Sequence, residues 1–171
     1  ILRCKRGSVS TRQVYTFTFD PKLKADDIDS LKPYYYAAME KQLIADRPIG
    51  LLLSGGLDSS TNVAMAHRLG YKPLTTFSVR FTAQALDESH YSRLVANHFA
   101  TDHHELTLDS SDALEALPQI VWCQEEPLWD HSAVPSYHLA CFAKSQVDAI
   151  IAGDGPDHLC GRYYQLSARR R

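Results

Sequence analysis

The heptapeptide at residues 54–60, Ser-Gly-Gly-Leu-Asp-Ser-Ser, combines residue types that could hold an anion and a metal ion. Its adjacent glycines allow a sharp backbone turn and a close approach of a ligand to the main chain. The aliphatic run at 49–53 predicts a buried strand before it, and a helical pattern follows it. Because a helix points free N–H groups and its positive dipole end at such a turn, the pattern predicts a phosphate-binding loop.

Two familiar phosphate loops are excluded. A Walker A loop requires a lysine before its final Ser or Thr, and no lysine occurs between Arg47 and Arg68. The dinucleotide fingerprint spaces three glycines apart, whereas Gly55 and Gly56 are adjacent. An ordinary turn whose Ser and Asp side chains cap the helix is the structural alternative. The complete S-G-G-x-D-S pattern after an aliphatic strand favours the phosphate site.

Composition predicts one globular domain in a chain of 171 residues, with 44% hydrophobic and 22% charged residues. No apolar run approaches the ~20 residues of a membrane span, and no signal-peptide pattern opens the sequence. We therefore expect a cytoplasmic protein without a membrane partner. A formal net charge of −2 argues against a nucleic-acid partner.

The cysteines and histidines do not form a recognisable metal or redox motif. None of the four cysteines makes a C-x-x-C pair, which predicts reduced thiols at Cys4, Cys123, Cys141 and Cys160. The eight histidines include no H-E-x-x-H, so no metal is assigned to imidazole.

Strand and helix patterns alternate after residue 46. Strands are predicted at 49–53, 73–81, 103–108 and 148–152, and helices follow at about 62–69, 86–99, 113–122 and 132–144. This alternation predicts an α/β fold, a parallel sheet with helices on both faces. Ligands of such sheets bind at the carboxyl ends of the strands, where the glycine-containing segments 54–60 and 153–157 both lie.

The N-terminal part is predicted as a strand at 12–19 that pairs with residues 1–4, followed by a helix at 34–44. The helix should direct Tyr35, Met39 and Leu43 to one face. In the helix at 86–99 the predicted face contains Tyr91, Leu94, Val95 and His98. We assign residues 1–45 to N-terminal strands and a lead-in helix, and residues 46–171 to one domain that contains the predicted phosphate-binding loop and that we expect to be incomplete at its C-terminus.

Four segments together resemble the synthetase domain of the asparagine synthetase family, whose relatives include β-lactam synthetases and lasso-peptide cyclases. They are 54–60, Thr-Phe-Ser-Val at 76–79, 87–91 leading to 102–105, and 126–130 leading to Gly-Asp-Gly-Pro-Asp at 153–157. The first and last are diagnostic, and the resemblance runs from about residue 46 to 164. It implies the fold of PP-loop N-type ATP pyrophosphatases, the adenine nucleotide alpha hydrolase-like fold. NAD synthetases, GMP synthetases and tRNA-thiolating enzymes share the first motif only.

The resemblance also implies a site. The pyrophosphate part of ATP would be held by Ser54, Gly55, Gly56, Asp58, Ser59 and Ser60, with nucleotide contacts from the backbone of Leu53, Val79 and Gly153. Asp58 and Asp157 match the carboxylates that bind Mg²⁺, which prefers one or two carboxylates plus phosphate oxygens and water. Asp154 takes the place of an acidic residue near the activated substrate carboxylate. A solvated turn or a helix cap is the alternative for Asp154 and Asp157.

The chemistry implied is ATP-dependent amide formation. A small-molecule carboxylate attacks the α-phosphate, giving an acyl-adenylate and pyrophosphate, and ammonia or an amine then displaces AMP. A glutaminase domain is the implied ammonia source. A non-catalytic ATP-binding module that retains the PP-loop is the alternative, and a tRNA-modifying PP-loop enzyme is a third reading.

The second motif departs from the family pattern in two places. His158 replaces an acid, and Arg162 replaces a glycine at a tight turn. The family lysine of later helices and the glutaminase domain have no counterpart, so we expect either a fragment or a pared-down relative. Arg162 is the nearest candidate for a catalytic cation at the α-phosphate, with a solvated surface charge as its alternative. The chain alone is therefore expected to be a poor catalyst.

Overall fold

The computed structural model describes residues 1–14, 16, 28–84, 87–126, 130 and 132–156. The chain divides into two compact units, Ile1–Pro33 and Tyr34–Arg171. The predicted division of the chain into residues 1–45 and residues 46–171 stays a prediction.

The first unit contains an antiparallel hairpin of β1 (Leu2–Lys5) and β2 (Ser8–Thr11). Leu2 faces Thr11 and Lys5 faces Ser8. Between the strands, Arg6 and Gly7 both have positive φ, +50° and +77°, as a type I′ turn requires. A single 3-10 turn follows at Ile28–Ser30.

The strand predicted at 12–19 is wrong as the partner of residues 1–4. That partner is β2, and residues 12–14 and 16 lie outside any strand. Residues 15 and 17–19 lie outside the described part. The reason is local, because a two-residue turn closes the smallest loop and pairs β1 with the segment immediately after it.

The second unit is built on a four-stranded parallel sheet. Its strands are β3 (Ile49–Leu52), β4 (Thr75–Phe81), β5 (Asp102–Leu108) and β6 (Ala149–Ile151), in the order β5-β4-β3-β6. All three neighbouring pairs are parallel, with Leu51 opposite both Thr76 and Ile151. The four predicted strands are therefore confirmed, with ends that shift by one or two residues.

Five helices accompany the strands in the described part of the chain. They are α1 (Lys32–Gln42), α2 (Leu57–Arg68), α3 (Ser89–Phe99), α4 (Ser110–Gln124) and α5 (Ala133–Ala143). As predicted, Met39 of α1 is buried and Tyr35 and Leu43 pack beside it.

Two hydrophobic clusters lie on opposite faces of the sheet. The first cluster combines β3 with α1, α2 and α3, and contains Met39, Ile49, Leu51, Leu53, Val63, Ala66, Leu74, Ala96 and Ile151. The second cluster combines β4 with α5, and contains Phe77, Leu139, Ala143 and Val147. Leu51 belongs to the first cluster and Leu52 packs on the second, as the two-residue period of a strand requires. Helices on both faces of a parallel sheet confirm the predicted α/β architecture.

The predicted inner face of α3 is partly wrong. Tyr91 and Leu94 are 53% and 69% exposed, whereas the buried residues are Ser89, Ser92 and Ala96. Ser92 lies inside where α3 meets Gly55, since a Cβ built on Gly55 would lie 2.6 Å from the Ser92 amide nitrogen. Of the predicted face, Val95 does pack on the first cluster.

Within the described part of the chain, no helix combines the length and apolar character needed to cross a membrane.

Candidate nucleotide-binding site

Two loops follow directly on β3 and β6 and lie at the same edge of the sheet. The first loop, residues 53–56, joins β3 to α2, and the second loop, described from Gly153 to Pro156, follows β6. They border a cavity of about 390 Å³. Its walls are Leu52, Leu53, Ser54, Gly56, Leu57, Asp58, Ser59, Phe77, Ser78, Val79, Phe81, Glu88, Ser132, Pro135, Ser136, Leu139, Ala152, Gly153 and Asp154.

Two serine hydroxyls hold the first loop in shape. The buried Ser59 Oγ accepts a hydrogen bond from the Ser54 amide at 3.2 Å and donates to the Gly56 carbonyl at 3.2 Å. It also lies 3.0 Å from Ser54 Oγ, which accepts from the Gly56 amide at 3.3 Å. Ser59 therefore shapes the loop from inside, while the exposed Ser54 remains at the cavity wall.

The N-terminus of α2 opens toward this cavity without a side-chain cap. Its N-cap residue is Gly56, and among the described residues no side chain supplies a capping hydrogen bond. The contrast is α4, whose N-cap Asp109 accepts from the Ser111 and Asp112 amides in a capping box. Ser54 Oγ accepts from the amide of Gly56 itself, and helix capping stays the structural alternative for the first motif. The amides and positive dipole end of α2 are available to an anion.

Gly55 allows the first loop to lie directly on α3. Its φ is +83°, and a Cβ built on it would lie 2.4 Å from Tyr91 Cβ and 2.6 Å from the Ser92 amide nitrogen. Any other residue would be strained in conformation and would also collide with α3. Gly55 thus positions the loop, and it does not line the cavity among the described residues.

The second loop touches the start of α2. A Cβ built on Gly153 would lie 3.0 Å from the Ser59 amide nitrogen, so only a residue without a side chain fits there comfortably. One residue earlier, the Ala152 carbonyl accepts a hydrogen bond from Asn62 Nδ2 of α2 at 3.1 Å. Asp58 of the first motif and Asp157 of the second are 99 positions apart in sequence. The described part of the second motif nevertheless lies against the first, at Gly153 and Ser59.

The structure places most of the predicted site residues together. Those that line the cavity are Leu53, Ser54, Gly56, Asp58, Ser59, Val79, Gly153 and Asp154. Ser60 does not line it among the described residues, and its Oγ is buried without a hydrogen-bond partner there. Asp157 and Arg162 lie outside the described residues, so their predicted roles stay predictions.

The charged side chains that border the cavity are all acidic among the described residues. Asp58 is half-buried and Asp154 is exposed, and both border the cavity. Burial, together with the negative charge of Asp58, raises the pKa of Tyr35 above its ordinary value. Among the described residues no group of three or more His, Cys, Asp or Glu side chains could hold a metal ion. Magnesium bound together with phosphate oxygens needs only one or two carboxylates.

Sequence reasoning missed the outer wall of the cavity and the residues behind the second loop. Glu88, Ser132 and Ser136 reach the wall from the starts of α3 and α5, and no sequence signal separates them from ordinary helix-start residues. Asn62 did carry a signal, because it is a polar residue at a buried position of the apolar pattern of α2.

Comparison with known proteins shows which family the chain resembles. The asparagine synthase family model matches residues 32–171. A Methanocaldococcus jannaschii relative named asparagine synthetase (glutamine-hydrolyzing) 2 is 34% identical over 137 residues, which are 80% of this chain and 26% of that protein. Asparagine synthetase (glutamine-hydrolyzing) 1 of Bacillus subtilis is 30% identical over 159 residues, which are 92% of this chain and 25% of that protein. The chain thus spans about a quarter of the length of the curated relatives it matches.

A solved structure agrees at the level of the fold. The NH3-dependent NAD synthetase from Campylobacter jejuni superposes with a TM-score of 0.51 at 8% identity, covering 78% of this chain and 59% of that one. That likeness supports the predicted fold class alone. The matched family model over residues 32–171, together with the two loops at one sheet edge, establishes that this chain belongs to the asparagine synthase family.

Proposed function

We propose that this chain forms the ATP-binding part of an amide-forming ligase of the asparagine synthetase type. The observation that carries the proposal is the uncapped N-terminus of α2, which opens on a cavity of about 390 Å³ beside the second loop. Family membership supplies the chemical context. An uncapped helix start beside glycine loops favours phosphate over a neutral ligand.

The cavity has two sides that suit the two halves of ATP. The α2 amides, Ser54 and Gly56 would receive the phosphates. Phe77, Val79 and Leu139 form an apolar wall in the same cavity, which is the surface that a purine ring needs. The backbone of Leu53, Val79 and Gly153 would then contact the nucleotide, as the family resemblance implies.

In the proposed reaction a substrate carboxylate oxygen attacks the α-phosphorus of ATP, and the bond to pyrophosphate breaks. A nitrogen nucleophile then attacks the acyl carbon, and AMP leaves as the amide forms. This chain's residues would hold the leaving pyrophosphate at the first loop and orient the reactants, with Asp154 beside the reacting carboxylate. Ammonia or an amine is the proposed donor.

The acidic groups fit magnesium as the accompanying metal. Asp58 borders the cavity next to the α2 amides, and Asp154 lies on the second loop. Asp58 with Asp157 would hold the ion, because magnesium combines one or two carboxylates with phosphate oxygens. The metal would neutralise charge that develops on the phosphates.

Calorimetric titration with Mg-ATP tests the nucleotide site. We expect wild-type binding, and Asp58→Ala should weaken it about tenfold or more because a charged ligand to the metal is lost. Asp148→Ala, an exposed acid that borders neither loop, is the matched control and should bind like wild type. Equal affinity of Asp58→Ala and wild type, or no binding by wild type, would refute the nucleotide site.

ATP–pyrophosphate exchange with aspartate and other candidate carboxylates tests the chemistry separately. Exchange that depends on a carboxylate is the expected result for acyl-adenylate formation. Binding of Mg-ATP without exchange would instead favour the non-catalytic ATP-binding module. If exchange occurs, Arg162→Ala decides whether that arginine contributes the cation at the α-phosphate.

A further inference from the structure

Asn62 joins three elements behind the second loop. It is 6% exposed on α2. Its Nδ2 donates to the Ala152 carbonyl at 3.1 Å, and its Oδ1 accepts from the Tyr35 hydroxyl of α1 at 2.5 Å. We call these two hydrogen bonds the Asn62 network. The Ala152 carbonyl fixes the orientation of the buried amide, because turning it over would set Oδ1 against another acceptor and leave that carbonyl without its donor.

The network begins where the sheet ends. The paired residues of β3 and β6 stop at Leu51 and Ile151, so the Ala152 carbonyl lies just past the last pair and receives its donor from Asn62. The next residue, Gly153, lies against the Ser59 amide. Residues 59 and 62 are three apart and share one face of α2. Residues 152 and 153 are therefore docked at two points on the same helix face.

The network lies outside the nucleotide cavity. Tyr35 and Asn62 border a second cavity of about 250 Å³, which shares Ala152, Gly153 and Asp154 with the first. Neither Tyr35 nor Asn62 lines the first cavity. The second loop is thus a common wall, with the candidate nucleotide site on one side and the Asn62 network on the other.

We propose that Tyr35 and Asn62 are positioning residues that hold the second loop against the N-terminus of α2. A loop already in place spares the ordering cost at binding, so the network raises the affinity for Mg-ATP without touching the nucleotide. The affinity part of this inference rests on the proposed function, whereas the positioning of the loop does not.

The chain offers a matched pair of tyrosines for the test. The Tyr36 hydroxyl accepts from Arg68 Nη1 at 3.0 Å, so it also connects α1 to α2. Unlike Tyr35, it leads away from the second loop. Tyr35→Phe and Tyr36→Phe each remove one hydroxyl and one α1–α2 hydrogen bond, and only the first should disturb residues 152–155.

Hydrogen exchange of the nucleotide-free chain measures the protection of the loop amides directly. Tyr35→Phe should speed exchange of the Gly153–Asp154–Gly155 amides by about tenfold, the effect of losing one hydrogen bond to a buried group. Tyr36→Phe should leave those amides as in wild type. Asn62→Asp provides a second variant, because it keeps the acceptor for Tyr35 and removes the donor to Ala152, and it should speed exchange at least as much. Unchanged exchange in Tyr35→Phe, or equal acceleration in Tyr36→Phe, would overturn the inference.

Calorimetry with Mg-ATP on the same proteins tests the consequence for binding. We expect about tenfold weaker binding by Tyr35→Phe and wild-type affinity for Tyr36→Phe. Faster loop exchange with unchanged affinity would overturn the link to nucleotide binding. If the wild-type protein did not bind Mg-ATP, the proposed function would fail, and the exchange rates would still decide whether the network holds the loop.

Discussion

Gly55 and Gly70 show how differently two glycines with positive φ can contribute. Gly70, with φ +74°, follows the end of α2, and a Cβ built on it meets nothing within 4 Å. The Gly70 amide donates to the His67 carbonyl and the Tyr71 amide to the Ala66 carbonyl, the pattern of a Schellman motif. Gly55 has a similar φ but lies against α3. A side chain at either position would therefore carry the conformational cost of a positive φ. The steric cost of a collision with α3 arises only at Gly55.

Replacing each glycine by alanine separates these two costs. Gly70→Ala should lower the free energy of unfolding by about 1–2 kcal/mol, the cost of a left-handed residue with a Cβ. Gly55→Ala should lower it by about 3 kcal/mol or more, since overpacking against Tyr91 and Ser92 is added. Urea unfolding of both variants measures the difference. Equal losses would mean that α3 moves aside freely and that Gly55 is required only for its φ.

At the scale of elements, the starts of α2 and α4 serve opposite purposes. The α4 start is closed by its own capping box, in which Asp112 Oδ2 also accepts from the Asp109 amide at 2.7 Å. The α2 start is left open at Gly56. A helix that caps itself gains stability and loses the ability to receive an anion, whereas an open start beside a cavity keeps that ability.

The closed cap of α4 should make stability depend on acid pH. The Ser111 hydroxyl, followed by the Asp112 and Ser111 amides, holds the pKa of Asp109 below its ordinary value. The unfolded chain therefore takes up this proton first, at a pH of about 3.9. The stabilisation is complete above that pH and disappears as the pH falls through the lower pKa of the folded state.

Asp109→Asn isolates this effect, because asparagine can accept the same hydrogen bonds but does not titrate. The stability advantage of wild type over Asp109→Asn should shrink as the pH is lowered from about 5 to about 3. Urea unfolding at a series of pH values provides the measurement, with Asp46→Asn as an exposed control outside any helix cap. A constant difference across that range would contradict the cap assignment.

At the scale of the second unit, the sheet separates two hydrophobic clusters. Val63 of α2 belongs to the first cluster and Phe77 of β4 to the second, and both side chains are 0% exposed. The edge of the sheet that carries the two loops is supported from both faces, because β3 leads into the first loop and its two faces pack on different helices. A destabilising substitution on either face should therefore disturb the same loops.

Substitutions on the two faces should add independently. Val63→Ala and Phe77→Leu should each lower the free energy of unfolding by about 1–3 kcal/mol, and the double variant should equal their sum within about 0.5 kcal/mol. Leu94→Ala, at a side chain that is 69% exposed, is the control and should cost less than about 0.5 kcal/mol. A coupling well above 0.5 kcal/mol in urea unfolding would show that the clusters act as one core.

Local order along the chain was readable from the sequence by itself. The strands of the second unit, their parallel arrangement and the strand–loop–helix setting of Ser54 to Ser60 follow from residue periods and glycine positions, which depend on near neighbours. The same reasoning failed at residues 12–19, where a tight turn at Arg6 and Gly7 selected a nearer partner. It also failed on part of α3, where Ser92 is buried beside Gly55 and Leu94 is exposed.

Only the tertiary structure decided what surrounds and supports the site. That Gly56 is uncapped, that Gly153 lies against Ser59, and that Asn62 reaches both Tyr35 and Ala152 are relations between residues up to 94 positions apart. Spacing along the sequence cannot express such relations, because the distance between two loops depends on how the helices pack on both faces of the sheet. The sequence determined which residues can meet a phosphate, and the packing of α1, α2 and α3 determined how closely the two loops that carry them approach.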